Sequence, residues 1–114
     1  MIWDTGRAIA HTRMSSQLVL WAGEQGYFLV RTWVKRSPDN QIEIYGYNRP
    51  TYHSICRADD FDLWLLDEEG NLEWIDDGSH EAWNKIGMKW ESMDKRNRWG
   101  GWWDNRDSSH CETL

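Results

Sequence analysis

Two histidine–cysteine pairs are the residues of this sequence whose types could bind a metal. His53 precedes Cys56 by three residues, and His110 directly precedes Cys111. Imidazoles and thiolates are the ligands that tetrahedral zinc prefers. The second pair is adjacent in the chain, however, and cannot easily direct both side chains at one ion. We therefore predict no zinc site. Instead we expect a histidine in a strand, a small buried cysteine and a frayed C-terminus. Whether the two cysteines form a disulfide stays open.

Carboxylates at Asp59, Asp60 and Asp62 are the second group that could do chemistry, because hard cations such as Mg²⁺ bind clustered carboxylates. The rest of such a site is missing from the sequence. It has no glycine-rich phosphate loop with a lysine, no His-Glu-x-x-His and no Gly-x-Ser-x-Gly. We predict a non-enzymatic protein with no catalytic residue, no cofactor and no metal.

Strand-like patterns fill the first two thirds of the chain, where short runs are rich in aromatic and β-branched residues. These runs cover 17–22, 27–35, 41–47, 51–56, 61–66 and 72–75. The first three predict an antiparallel meander. The loop 67–71 contains Gly70, which favours a hairpin between the last two runs.

A helical pattern replaces the strand pattern after Asp77. Ser79 is a suitable N-cap, and four apolar residues follow at spacings of three and four: Trp83, Ile86, Trp90 and Met93. The helix should end before Gly100, which is a natural C-terminal stop.

These elements predict an α+β fold in a single compact domain, 1–114. An antiparallel sheet of about four to six strands should pack against one C-terminal helix. The strand-rich part spans 1–76, the helix about 80–98 and a tryptophan-rich tail 99–114.

The negative charge is concentrated in one block. Residues 58–81 hold ten of the 19 acids and no lysine or arginine, and the chain has a net charge of -6. On the predicted hairpin, Asp62 and Trp64 share one face, and Asp67, Glu68 and Glu69 crowd the loop. The sequence thus predicts a rim of carboxylates around a hairpin tip.

Ten tryptophans are more than one small core conveniently holds, so some should lie at the surface. We expect Trp33, Trp83 and Trp90 to be buried and Trp99 to anchor the tail. Trp102 and Trp103 are adjacent, so one should pack on the sheet while the other faces outward.

An acidic rim with aromatic anchors is suited to docking on the basic groove of a nucleic-acid-processing enzyme. In size, charge layout and lack of catalytic motifs the chain is similar to small acidic inhibitors among phage anti-CRISPR and anti-restriction proteins and to toxin-immunity proteins. We predict such an inhibitor. Its partner-binding residues would be Asp59, Asp60, Asp62, Trp64, Asp67, Glu68, Glu69, Glu73, Asp76, Asp77, Trp102 and Trp103.

Two other functions stay open. The segment 85–106 interleaves tryptophans with lysines and arginines, as single-stranded nucleic-acid-binding surfaces do. Alternatively, the surplus tryptophans could be buried in a homo-oligomeric assembly. No run reaches the roughly 18 apolar residues of a membrane span, and the N-terminus lacks a signal pattern, so we expect a cytoplasmic protein, in a bacterial host if phage-encoded.

Overall fold

The computed structural model of the chain describes residues 2–33 and 51–114. Within these residues, two helices pack on one face of a five-stranded antiparallel sheet. The expected mixed fold with an antiparallel sheet is confirmed. The expectation of a single, C-terminal helix is wrong, because a longer helix precedes the sheet.

Helix α1 spans Thr5–Glu24, where a strand had been expected at 17–22 within a strand-rich 1–76. The Asp4 side chain caps it by accepting a hydrogen bond from the Arg7 backbone N–H at 3.0 Å. The buried face runs at helical spacing: Ala8, His11, Ser15, Leu18 and Ala22. This stripe is hard to recognise in the sequence because two of its members are polar and two are alanines.

The sheet consists of β1 (Phe28–Trp33), β2 (Ala58–Leu66), β3 (Leu72–Trp74), β4 (Asn97–Trp99) and β5 (His110–Thr113). Strand β2 is central: β1 pairs along one of its edges, and β5 and β3 pair along different parts of β2. Strand β4 pairs with β5. The expected hairpin of 61–66 with 72–75 is confirmed, and the expected strand at 41–47 lies outside the described residues.

The expected strand at 51–56 is instead a 3-10 turn, Tyr52–Ile55. Cys56 follows it with a positive φ of 55°, which reverses the chain into β2. The turn thereby places His53 beside the sheet rather than within it.

Helix α2 spans Glu81–Met93 and is shorter than the expected 80–98. His80, not Ser79, caps it, because His80 Nδ1 accepts a hydrogen bond from the Ala82 N–H at 3.1 Å. The helix ends where Asp94 accepts bonds from the Arg96 backbone N–H and guanidinium, a local turn that competes with helix. Burial of Trp83, Ile86 and Trp90 along one face is confirmed.

The C-terminal segment is part of the sheet, so the expected frayed tail is wrong. Strand β5 is buried along its whole length, and the Leu114 N–H donates to the Arg96 carbonyl at 2.9 Å. Trp99 is fully buried, as expected of an anchor. The expected burial of Trp33 concerns a side chain outside the described part of the structure.

The sheet has two faces of different character. The inner face contacts the helices and contributes Phe61, Leu63 and Cys111 to the core. The opposite side, called the outer face below, carries the alternate residues of the same strands, among them Asp60, Asp62, Trp64 and His110. Both cysteines are free thiols.

Candidate functional site

The outer face carries a continuous apolar area, here called the outer patch: Phe28, Val30, Trp64, Leu66, Leu72 and Trp74. Strand register places these side chains side by side, since Phe28 and Trp74 both pair with Trp64, and Leu66 pairs with Leu72. Apart from the half-buried Trp64, they are between 37% and 61% exposed. Most of them line one shallow, almost wholly apolar groove. Contiguous exposed apolar surface of this kind marks binding sites.

Four carboxylates, here called the acidic border, lie around the outer patch. Asp62 precedes Trp64 on the same face of β2. The other three lie in the exposed loop that joins β2 to β3, next to Leu66 and Leu72: Asp67, Glu68 and Glu69. The sharing of one face by Asp62 and Trp64 is confirmed.

Within that loop the three acids differ. Asp67 Oδ1 accepts hydrogen bonds from the backbone N–H groups of Glu69 and Asn71, both at 2.9 Å, and so fixes the turn. Glu68 and Glu69 are exposed and follow directly from it. Their carboxylates are thus the ones in the loop that can meet a partner without loss of the turn.

The remaining acids of the block that lie at the surface occupy different positions. Asp76 shares a second groove with Asp62, Trp74 and Arg106. Asp77 accepts bonds from the Ser79 hydroxyl and backbone N–H, which lower the pKa of Asp77 and hold the turn before α2. Glu73 is exposed but pairs with Leu65, so it lies on the opposite side of β3 from Trp74.

Asp59 does not belong to a partner-binding surface, contrary to expectation. It points to the inner face and is only 2% exposed, because alternate residues of β2 face opposite ways. Ser15 donates a hydrogen bond to Asp59 Oδ2, and His11 Nε2 lies 3.5 Å from the same oxygen. Burial raises the pKa of Asp59, but the interactions with His11, Ser15 and Arg31 outweigh it and lower the pKa. The contacts join α1 to the sheet.

The polar core continues beyond Asp59. Thr113 donates its hydroxyl proton to Asn97 Oδ1 at 3.0 Å, so its oxygen accepts the bond from His11 Nδ1–H at 2.9 Å. Ser15 Oγ also accepts a hydrogen bond from Arg31 Nη2 at 2.9 Å. The network thus joins α1 to four strands of the sheet.

Asp60 lies on the outer face next to Asp62, but its side chain is held in a group called here the histidine cluster: His53, Asp60, His110 and Glu112. His53 Nε2 is 3.3 Å from Asp60 Oδ2, and His110 Nδ1 is 3.1 Å from Asp60 Oδ1. The other ring nitrogen of His110 donates to Glu112 Oε1 at 2.7 Å. One donor atom from each of His53, Asp60 and His110 lies within 4.8 Å of the others, so these three could hold a metal.

Opposite charges meet in the histidine cluster. Burial lowers the pKa of His110, but bonds to Asp60 and Glu112 outweigh it and raise the pKa to about 9. Burial raises the pKa of Asp60, but the interactions with His110 and His53 outweigh burial and lower the pKa to well below its usual value. Arg98 Nη2 lies 2.5 Å from Glu112 Oε2 and holds that carboxylate in place.

Trp102 and Trp103 are 57% and 38% exposed, so neither ring is buried, and Trp103 is the one that packs on the sheet. Each ring instead keeps one supporting contact. Trp102 lies edge-on to Trp99 and donates from Nε1 to Glu91 at 2.9 Å. Trp103 packs against the His110 ring at 5.1 Å. They lie in the segment that follows β4.

Basic residues of the segment 85–106 are largely engaged within the protein. Arg96 pairs with Asp94 at 3.1 Å, and Arg98 pairs with Glu112. Arg106 donates to Ser108 and Asn84. Lys89 lies over the Trp21 ring at 5.6 Å.

No protein-family model matches the chain, and no curated protein is similar to it in sequence. Neither comparison provides evidence of enzymatic activity. Among residues 2–33 and 51–114, neither helix has the length and apolar character needed to cross a membrane.

Proposed function

We propose that this protein is a non-enzymatic inhibitor that binds a nucleic-acid-processing enzyme through the outer patch and the acidic border. The observation that carries the proposal is a contiguous, exposed apolar patch across β1, β2 and β3 that is bordered by carboxylates. A phage or mobile-element inhibitor and an immunity protein against a toxin nuclease would both use this mechanism.

The outer patch supplies the binding energy. Apolar surface removed from water contributes roughly 25 cal/mol per Å² before the costs of association. Trp64 and Trp74 face the same side and are of the residue type that most often dominates interface energies. An enzyme surface with an apolar depression would cover them.

Charge favours a basic partner. The block 58–81 contains no lysine or arginine, so no cation of its own strand pair or loop neutralises Glu68 and Glu69. Carboxylates placed around an apolar patch steer a basic surface toward it and repel an acidic one. A second copy of this chain, docked face to face, would bring like charges together, and a phosphate backbone would be repelled.

The single-strand-binding alternative has less support. Of the four tryptophans proposed for it, Trp90 and Trp99 are fully buried and cannot stack on bases. Arg96 and Arg98 already pair with carboxylates. Of these four tryptophans, Trp102 and Trp103 present ring surface, and Arg106 of the same segment is bonded to Ser108 and Asn84.

Affinity capture followed by a competition assay tests the proposal. Immobilised protein is incubated with a nuclease-treated bacterial lysate, and the retained enzyme is purified and assayed on its nucleic-acid substrate with increasing inhibitor. We expect inhibition that excess substrate overcomes, and no shift of a single-stranded oligonucleotide by the inhibitor alone. Simultaneous binding of inhibitor and nucleic acid, or retention of acidic proteins only, would contradict the mechanism.

A further inference from the structure

The histidine cluster brings together three metal-binding side chains from three separate elements. His53 comes from the 3-10 turn, Asp60 from β2 and His110 from β5, where it pairs directly with Asp60. The two histidines are 3% and 8% exposed, which is deep for imidazoles. None of the three belongs to the outer patch or the acidic border.

The donor atoms lie close enough together to meet one ion after small side-chain adjustments. Ligand bonds of 2.0–2.1 Å imply about 3.3–3.4 Å between neighbouring donor atoms. His53 Nε2 lies 3.3 Å from Asp60 Oδ2, His110 Nδ1 lies 3.1 Å from Asp60 Oδ1, and one donor atom from each of the three residues lies within 4.8 Å of the others. The two imidazole rings meet edge-on, with their planes inclined by 72°, so they do not stack.

Glu112 provides the outer support that metal-binding histidines commonly have. His110 uses Nδ1 toward Asp60 and donates from Nε2 to Glu112 Oε1 at 2.7 Å. A carboxylate behind a ligating imidazole fixes the tautomer and the orientation of the ring. The Arg98 guanidinium in turn orients Glu112.

We propose that His53 Nε2, His110 Nδ1 and an oxygen of Asp60 form a binding site for one first-row divalent transition ion of the zinc class. Two imidazoles and one carboxylate favour such ions over Mg²⁺ and Ca²⁺, which select all-oxygen ligands. The ion replaces the direct histidine–aspartate contacts, displaces the proton that His110 Nδ1 shares with Asp60 to solvent, and leaves one tetrahedral position for water. The expectation of no zinc site rested on the adjacency of His110 and Cys111, and β5 shows that the two do face opposite ways: Cys111 points into the core, and His110 faces the cluster.

Metal titration of chelator-treated protein tests the site. We expect one Zn²⁺ per chain by calorimetry and mass spectrometry, and with Co²⁺ the visible bands of a low-coordinate site. Trp fluorescence should change on binding, because Trp103 lies against His110. His53→Gln and His110→Gln should weaken Zn²⁺ binding at least 100-fold, and Glu112→Gln about 10- to 100-fold.

His80→Asn is the matched control, since it removes a histidine outside the cluster and keeps a good helix cap. It should bind Zn²⁺ like the wild type, and circular dichroism should show that every variant is folded. Binding of less than one ion per chain by the folded wild type, or equal affinity of the wild type and folded His53→Gln, would overturn the proposal. Because Glu68 and Glu69 are untouched, the outcome does not depend on the proposed inhibition.

Discussion

Trp99 is the residue on which the C-terminal half of the core depends. Its indole is fully buried, donates from Nε1 to the Ser108 carbonyl at 2.7 Å and lies between two glycines, Gly87 and Gly101. A Cβ at either glycine would overlap the ring. Close approach of backbone, not turn geometry, is what requires glycine at these positions.

Gly87→Ala should therefore destabilise the protein although it improves helix propensity in α2. We expect a loss of about 1–3 kcal/mol in the free energy of unfolding, the usual cost of overpacking. Gly23→Ala is the matched control, because its Cβ would meet nothing within 4 Å at the end of α1. It should be neutral or stabilise by up to about 1 kcal/mol. Urea unfolding followed by tryptophan fluorescence measures both, and equal stability of the two variants would contradict this packing.

Residue type and order predicted the exposed acids but not the buried ones. Asp59, Asp60 and Asp62 have similar neighbours in the sequence. In the structure, however, Asp59 contacts Ser15 and His11 on the inner face, and Asp60 contacts two histidines on the outer face. Their partners come from α1 and β5, which are far away in sequence, and from the 3-10 turn just before β2. No local pattern carries that information, so tertiary pairing decided the role of each carboxylate.

At the scale of elements, the C-terminal helix was recognisable because its buried stripe is large and apolar, with Trp83, Ile86 and Trp90. Helix α1 was not, since His11 and Ser15 interrupt its stripe and 17–22 looks like a strand. The outer patch could be predicted in part from the sequence, because residues 63–66 are apolar at every position. Helices cover only one face of β2, so the apolar residues on the other face are left exposed. The contribution of Phe28 and Val30 to the outer patch could not be predicted, because it depends on the register between β1 and β2.

Leu66 and Leu72 form a cross-strand pair at the edge of the outer patch and are 55% and 61% exposed. The double variant Leu66→Ser with Leu72→Ser should unfold within about 1 kcal/mol of the wild type, because both side chains are already largely hydrated. Its affinity for the captured enzyme should fall at least tenfold, since the apolar contact is lost. Leu20→Ser on α1, 70% exposed, is the control and should bind normally. Normal binding by the double variant would exclude the outer patch as the interface.

At the scale of the whole molecule, the outer face carries both proposed sites, which share strand β2. The outer patch and the acidic border occupy the hairpin end, and the histidine cluster occupies the end where β5 pairs. The helices cover only the inner face, which leaves the hairpin end open to a partner. Charge and apolar surface therefore coincide on the same side of the molecule, as the inhibitor proposal requires.

The most direct test is the dissociation constant for the captured enzyme after charge reversal at Glu68 and Glu69. Glu68→Lys with Glu69→Lys leaves the Asp67 turn in place. The control pair Glu24→Lys with Asp104→Lys changes the net charge equally at exposed positions outside the acidic border. We predict at least tenfold weaker binding and a reduced salt dependence for the first pair, and near-wild-type binding for the control. Equal affinities of the two pairs would contradict docking through the acidic border.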